Sequence, residues 1–186
     1  MDTSKILRSR KNYGKYEREI IEKLELFFRD KGYVVVTHAR LNISWGTTLS
    51  DIDLVLLRDN KITIIEVKSD HDNFIRAIDQ IKKYSNYADY VYVATEKVQT
   101  LNVENIDIGL IIVNKQISIM KPPLLIKSVP SIESIFALPK ESLIEAFALN
   151  KKFWKMNKND LVYHIYHNLD KKILKDNVKK IAYCDF

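Results

Sequence analysis

Asp53, Glu66 and Lys68 are two acids and an ammonium whose types and spacing suit phosphodiester hydrolysis assisted by a divalent cation. Asp53 lies at the start of the run Ile52 to Leu57, and Glu66 and Lys68 close the run Ile62 to Val67. The two runs are separated by Arg58-Asp59-Asn60-Lys61. If Asp59-Asn60 is a two-residue turn that pairs Arg58 with Lys61, antiparallel register sets Asp53 opposite Glu66 and Asp51 opposite Lys68. All four then share a sheet face with Val55, Leu57, Ile62 and Ile64. The other face carries Ile52, Leu54 and Leu56 beside Thr63, Ile65 and Val67. Both faces are apolar, as a buried sheet centre requires.

Opposed Cβ atoms on neighbouring strands stand roughly 4.5–5.5 Å apart, so two ionised carboxylates there repel one another in a region poor in water. A hard cation removes that repulsion. Mg2+, or Mn2+ in its place, takes carboxylate oxygens and completes its shell with water, which leaves the centre open to substrate. Lys68, two residues past Glu66 on the same side of the strand, can orient or deprotonate an attacking water and offset charge on a pentacovalent phosphate. A glutamate and a lysine at i and i+2 also form ordinary ion pairs on solvated strands. The flanking apolar residues and the opposing Asp53 are what favour the chemical reading.

Other chemistries lose support. Four glycines in the whole chain leave no glycine-rich phosphate loop or dinucleotide fingerprint. The single cysteine, Cys184, excludes an internal disulfide, a cysteine zinc site and an iron–sulfur cluster held within one chain, and fits a reducing, intracellular setting. His164 and His167 stand at i and i+3 with no evident third ligand, and read as surface residues.

The elements that position the acids follow from periodicity. Ile20, Ile21, Leu24, Phe27 and Phe28 form the stripe of a helix over 13–31 that Gly32 stops. Tyr33 to Thr37 reads as a strand, followed by the hairpin. Asp72 can cap a helix whose stripe is Phe74, Ala77, Ile78, Ile81 and Ser85, and Tyr90 to Thr95 is a further strand. Gly109 to Val113 and Gln116 to Met120, joined by Asn114-Lys115, form a second hairpin that Pro122-Pro123 ends. Beyond it, Leu143, Ile144, Phe147, Ala148 and Trp154 mark one helical face, and Leu161, Ile165, Leu169 and Ile173 another. This order predicts an α/β sandwich, a mixed sheet with helices on both faces, made of a core over 1–122 and a small helical appendage over 123–186.

Asp53 with Leu-Val-Leu-Leu after it, the short turn, and then Ile64-Ile65-Glu66-Val67-Lys68-Ser69 resemble the PD-(D/E)XK nuclease superfamily over about residues 13 to 120. The resemblance implies a restriction-endonuclease-like core and a Mg2+-dependent deoxyribonuclease acting in DNA repair, recombination or the processing of viral or mobile-element DNA. Tyr16-Glu17-Arg18-Glu19, ahead of Gly32-Tyr33-Val34-Val35, is similar to the archaeal Holliday-junction resolvases, and by that match Glu17 joins Asp53 and Glu66 at the metal. Glu17 also stands on the stripe of Ile20, Ile21 and Leu24, although the helix dipole favours a first-turn glutamate in any case. Gln80-Ile81-Lys82-Lys83-Tyr84 is similar to the Gln-x-x-x-Tyr signature of RecB-like members, which makes Gln80 and Tyr84 accessory residues. Glu66 to Asp72 also looks like MmcB-type repair proteins and phage-associated relatives. Two departures stand out: Ile52 replaces the proline of the motif, and Asp51 adds an acid in the same row.

Lys and Arg number 30 against 24 Asp and Glu, a net charge of +6, which suits an anionic partner. With the resemblance, that partner is DNA, approached by the basic segments Lys5 to Lys15, Lys151 to Lys158 and Lys171 to Lys180 and by the loop Ser44 to Thr48. A homodimer would match the two equivalent strands of a junction. No segment has membrane-spanning length, and the cytoplasm, or a host's cytoplasm for a viral protein, is the expected compartment. The competing reading is a catalytically silent nucleic-acid-binding or assembly protein that keeps the fold.

Overall fold

The computed structural model describes residues 7–8, 14–43, 51–68, 80–97 and 107–183. Asp72, Phe74, Ala77 and Ile78, the loop Ser44 to Thr48 and Cys184 lie outside them.

The strands are β1 (Leu7–Arg8), β2 (Val34–Arg40), β3 (Asp51–Arg58), β4 (Lys61–Lys68), β5 (Tyr90–Thr95), β6 (Gly109–Val113) and β7 (Ile117–Lys121). They lie side by side in chain order in one seven-stranded sheet. β4, β5 and β6 run parallel, and every other neighbouring pair is antiparallel. The sheet is therefore mixed, as its element order requires: a two-residue turn reverses β3 into β4, whereas parallel neighbours need longer crossovers.

The β3–β4 turn has the expected form. Arg58 pairs with Lys61, and Asp59 and Asn60 sit at φ 50° and 60°. Both values fall in the left-handed region, which a two-residue type I′ turn demands and which Asp and Asn tolerate. At the second hairpin the turn spans Asn114 to Gln116, one residue longer than the sequence suggests. Val113 pairs with Ile117, and the Asn114 side chain accepts the Gln116 N–H at 3.0 Å.

Helix α1 (Lys15–Asp30) covers one sheet face. Its buried stripe, Ile20, Ile21, Leu24 and Phe28, packs with Val35, Leu54, Leu56, Ile65, Val67, Ala94, Ile111 and Val113. The helix ends in a Schellman motif. Gly32 at φ 80° donates to Arg29 O, and Tyr33 N–H returns to Phe28 O. The Tyr33 and Phe28 rings meet edge-on at 5.4 Å, the apolar contact that accompanies such caps.

The second face carries Val36, Val55, Leu57, Ile62, Ile64, Val91 and Val93, in one apolar cluster with Ile81 and Tyr84 of the helical segment 80–84 and with residues 126–183. That C-terminal part comprises α2 (Ile132–Ala137), α3 (Lys140–Ala146), a 3-10 turn (Lys151–Lys155), α4 (Lys158–Asn168) and α5 (Lys171–Ala182). Ser131, Asn150, Asn157 and Asp170 cap α2, the 3-10 turn, α4 and α5 through their side-chain oxygens. Each cap resets the helical phase, so the long stripes expected from periodicity do not persist. Trp154 is 45% exposed while neighbouring Phe153 is buried, because α3 stops and Ala148 turns to φ 48°. Ile173 is likewise exposed, because α5 starts afresh at Asp170 and buries Leu174, Val178 and Ile181 instead.

Buried polar bonds fasten this layer to the sheet. Lys179 Nζ donates to both carboxylate oxygens of Asp89, at 3.0 and 3.1 Å, and Asp89 Oδ2 also accepts Ile62 N–H at 3.0 Å. Asn42 meets the carbonyls at the end of α5, its N–H to Ala182 O and its side chain to Ile181 O.

Candidate active site

The β3–β4 ladder runs from the turn as far as Leu54 opposite Ile65. The next pair in that register is Asp53 and Glu66, the two acids singled out by the sequence, and they are 1% and 2% exposed. Here the strands exchange a side-chain bond. Asp53 Oδ2 accepts the Val67 N–H at 2.7 Å, which fixes the carboxylate against β4. Lys68 folds back on Glu66, with Nζ 2.7 Å from Oε1, and also donates to Gln80 Oε1 at 3.3 Å.

Gln80 and Tyr84 are one helical turn apart and so share a flank. Gln80 reaches the lysine. Tyr84, fully buried, donates its hydroxyl at 2.7 Å to the main-chain carbonyl of Asp51, tying the entry of β3 to the helix. The structure thus brings together Asp53, Glu66, Lys68 and Gln80, and gives Tyr84 a role in holding the strand beneath them. Asp51 is half-buried at the first position of β3, in register with Arg40.

Glu17 occupies the first turn of α1, half-buried. α1 packs against Leu54, Leu56, Ile65 and Val67, whereas strand alternation puts Asp53 and Glu66 with Val55 and Ile64 on the other face. The last turn of α1 borders the β3–β4 turn, since Arg58 Nη1 donates to Lys31 O. Its first turn, with Glu17, therefore lies toward the end of the sheet that holds the acids.

Two further residues flank the acids without a signal that short motifs reveal. In the parallel β4–β5 register Thr95 stands beside Lys68 as Val93 does beside Glu66. Thr95 is completely buried, and its hydroxyl has no hydrogen-bond partner among the described residues. His38 falls between the pairs Thr37–Leu54 and Ala39–Ile52, level with Asp53, and carries a left-handed backbone at φ 55°. Such strained positions in a strand concentrate at functional sites. Only the register of β2 and β5 against the hairpin discloses either residue.

The donor set is hard and anionic. Among the described residues no group of three or more His, Cys, Asp and Glu side chains gathers to hold a metal. Asp53 and Glu66 are a pair, and a pair of carboxylates completed by water and phosphate oxygens is the arrangement that Mg2+ accepts. Two carboxylates this close and this deeply buried are costly to keep ionised side by side, a cost that a bound cation lowers.

Some expected phosphate contacts are otherwise engaged. Lys179 is buried on Asp89, and Lys175 donates to Ile126 O with its pKa lowered by burial, so the lysines of 171–180 are not uniformly an outward basic face. No helix among the described residues is long and apolar enough to cross a membrane.

Fold and site together define an α/β sandwich protein whose mixed sheet buries an acid pair and a lysine at one end of its central hairpin. The chain belongs to the bacteriophage P4 protein cII family, whose model matches residues 18–182, a span that holds every residue of the site except Glu17. A search of curated proteins finds no match. Among known structures the chain is similar to a protein of unknown function from Silicibacter pomeroyi, at 19% identity and a TM-score of 0.49, over 64% of this chain and 79% of that one.

Proposed function

We propose that the protein is a Mg2+-dependent DNA endonuclease of the PD-(D/E)XK kind, acting in DNA repair, recombination or the processing of viral or mobile-element DNA. The observation that carries the reading is the burial of Asp53 and Glu66, 1% and 2% exposed, beside an ammonium 2.7 Å from one of them. Burying two carboxylates costs far more than placing them on a surface, and folding stability alone gives no reason to do so.

In this reading Asp53 and Glu66 would hold the cation. Mg2+ bound there supplies Lewis-acid stabilisation of the phosphoryl oxygens. Lys68, as an ammonium, orients the attacking water and balances charge on the pentacovalent phosphate. Gln80 holds the Lys68 ammonium in place, and Tyr84 fixes the main chain of Asp51, from which β3 carries Asp53 into the site. Glu17, in the first turn of α1 at the same end of the sheet, would complete the metal site.

The closed Lys68–Glu66 pair and the near-complete burial of both acids favour a second reading, a DNA-binding protein of the same fold without turnover. One experiment separates the two: incubation of labelled junction, duplex and single-stranded DNA with the protein and Mg2+ or Mn2+, for wild type, Asp53→Asn and Glu66→Gln. Metal-dependent cleavage lost in both variants supports the nuclease. DNA binding without cleavage in the wild type supports the silent binder.

A further inference from the structure

The end of the sheet farthest from the acids carries a second, chemically different feature. Around the β3–β4 turn, on the α1 side, a half-open cavity of about 550 Å³ is lined by Tyr33, Tyr90, Tyr92, Arg58 and Lys61, with Phe28 and Thr63 among its other walls. Arg58 is five residues from Asp53 along β3, roughly 17 Å at strand rise, and the cavity opens on the opposite face of the sheet.

Its walls are set by specific local features. The Schellman turn after α1 delivers Tyr33 against Phe28. The Arg58 guanidinium lies over the Tyr33 ring, 5.1 Å from its centroid. Tyr92 rests directly on Gly109, where a Cβ would stand 2.4 Å from the ring, so the ring is pressed against bare backbone and fixed as a floor. Burial and the neighbouring Tyr33 push the Tyr92 hydroxyl up to about 12, which keeps it a donor at neutral pH.

Flat aromatic faces with a planar cation and an ammonium at the mouth are the chemistry that binds a heteroaromatic base carrying a phosphate. Arg58 and Lys61 supply the positive charge; Asp59, 3.4 Å from Arg58, has a side chain 83% exposed, and Lys61 keeps a 3.5 Å contact to Asp89. We propose that this cavity binds a nucleotide unit, its base against Tyr33, Tyr90 and Tyr92 and its phosphate at Arg58 and Lys61. The nucleotide is either free or part of a single strand; both present the same base and phosphate. The site stands apart from the acids and does not depend on the nuclease reading.

The test is titration of the full chain, in EDTA so that no strand is cut, with thymidine monophosphate, thymidine, deoxyribose phosphate and a short oligothymidylate, followed by tyrosine fluorescence and calorimetry. Thymidine monophosphate is expected to bind saturably, and thymidine and deoxyribose phosphate each at least about tenfold more weakly, since each lacks one of the two contacts. Arg58→Gln and Tyr90→Leu should each weaken it about tenfold and leave the protein folded by thermal melting, because Arg58 is exposed and Tyr90 only half-buried. Oligothymidylate binding tighter than the mononucleotide, and equally sensitive to Arg58→Gln, identifies the strand as the source; equal or weaker binding identifies the free nucleotide. Absence of saturation up to about 10 mM mononucleotide, or binding that both folded variants retain, overturns the proposal.

Discussion

Replacing Lys179 by Met removes one member of the ion pair that joins α5 to the sheet, and the structure sets the size of the loss. The side chains of Lys179 and Asp89 are 9% and 4% exposed, and the ammonium reaches both carboxylate oxygens. At 3 Å and an effective dielectric of 20 their attraction is about 5 kcal/mol, much of which the desolvation of both groups cancels. Losing only the lysine leaves Asp89 buried and charged. It keeps the Ile62 N–H and a longer contact at 3.5 Å to Lys61, whose side chain is 48% exposed. The expected destabilisation is therefore at the low end for a broken buried pair, about 3 kcal/mol. In urea, with a slope near 2 kcal/mol per molar, the midpoint should fall by about 1.5 M. Lys61→Met, which removes only the exposed partner, should cost less than about 1 kcal/mol. The double variant Asp89→Asn/Lys179→Met should recover much of the loss, since no buried charge is then stranded. A midpoint shift below about 0.5 M for Lys179→Met would refute the claim that this pair holds the second layer to the sheet.

Three further outcomes are expected. Tyr87 is fully buried, its hydroxyl donates to Ser134 O, and its pKa is raised from 10.0 to about 12, chiefly by burial. The folded state then holds this proton more tightly, so its contribution is complete below pH 10 and is lost as pH rises to 12. Urea titrations across that range should lose about 2 kcal/mol that Tyr87→Phe does not lose, and equal slopes for both proteins would contradict the assignment. Gly109→Ala would put a methyl 2.4 Å from the Tyr92 ring and 2.9 Å from Pro123 N, and should cost about 1–3 kcal/mol by equilibrium unfolding. Tyr84→Phe leaves the Asp51 carbonyl without its hydroxyl donor. It should cost about 1 kcal/mol and weaken Mg2+ binding by calorimetry, and unchanged metal affinity would remove Tyr84 from the site's support.

The parts of this architecture that the sequence makes legible are those governed by short-range rules. The Asp59-Asn60 turn fixes its own hand and register, and register alone lines up Asp53 with Glu66 and Lys68. The i, i+4 spacing of Gln80 and Tyr84 places both on one flank, although which one meets the lysine and which the main chain depends on how the helix docks. Distance along the chain hides the rest. Asp89 and Lys179 are separated by 90 residues, and nothing local marks either as a partner of the other. Thr95 enters the site through a parallel register that no turn specifies, and the left-handed backbone of His38 has no signature in its neighbours. Trp154 and Ile173 continue helical stripes on paper, but Ala148 and Asp170 interrupt the helices and turn those side chains outward. Glu17 precedes the stripe of Ile20, Ile21 and Leu24 by three, four and seven residues, so periodicity places it in the first turn of α1, where the structure has it.

The central claim is that Asp53 and Glu66 are buried to hold a divalent cation that cuts DNA. Its most direct test is Mg2+-dependent cleavage of a labelled DNA junction and duplex by wild type, Asp53→Asn and Glu66→Gln, each checked for folding by thermal melting. Cleavage by the wild type with Mg2+, abolished by EDTA and reduced about a hundredfold or more in both folded variants, is the predicted result. Cleavage that both variants retain, or no cleavage by the wild type on any of these substrates with either Mg2+ or Mn2+, would contradict it.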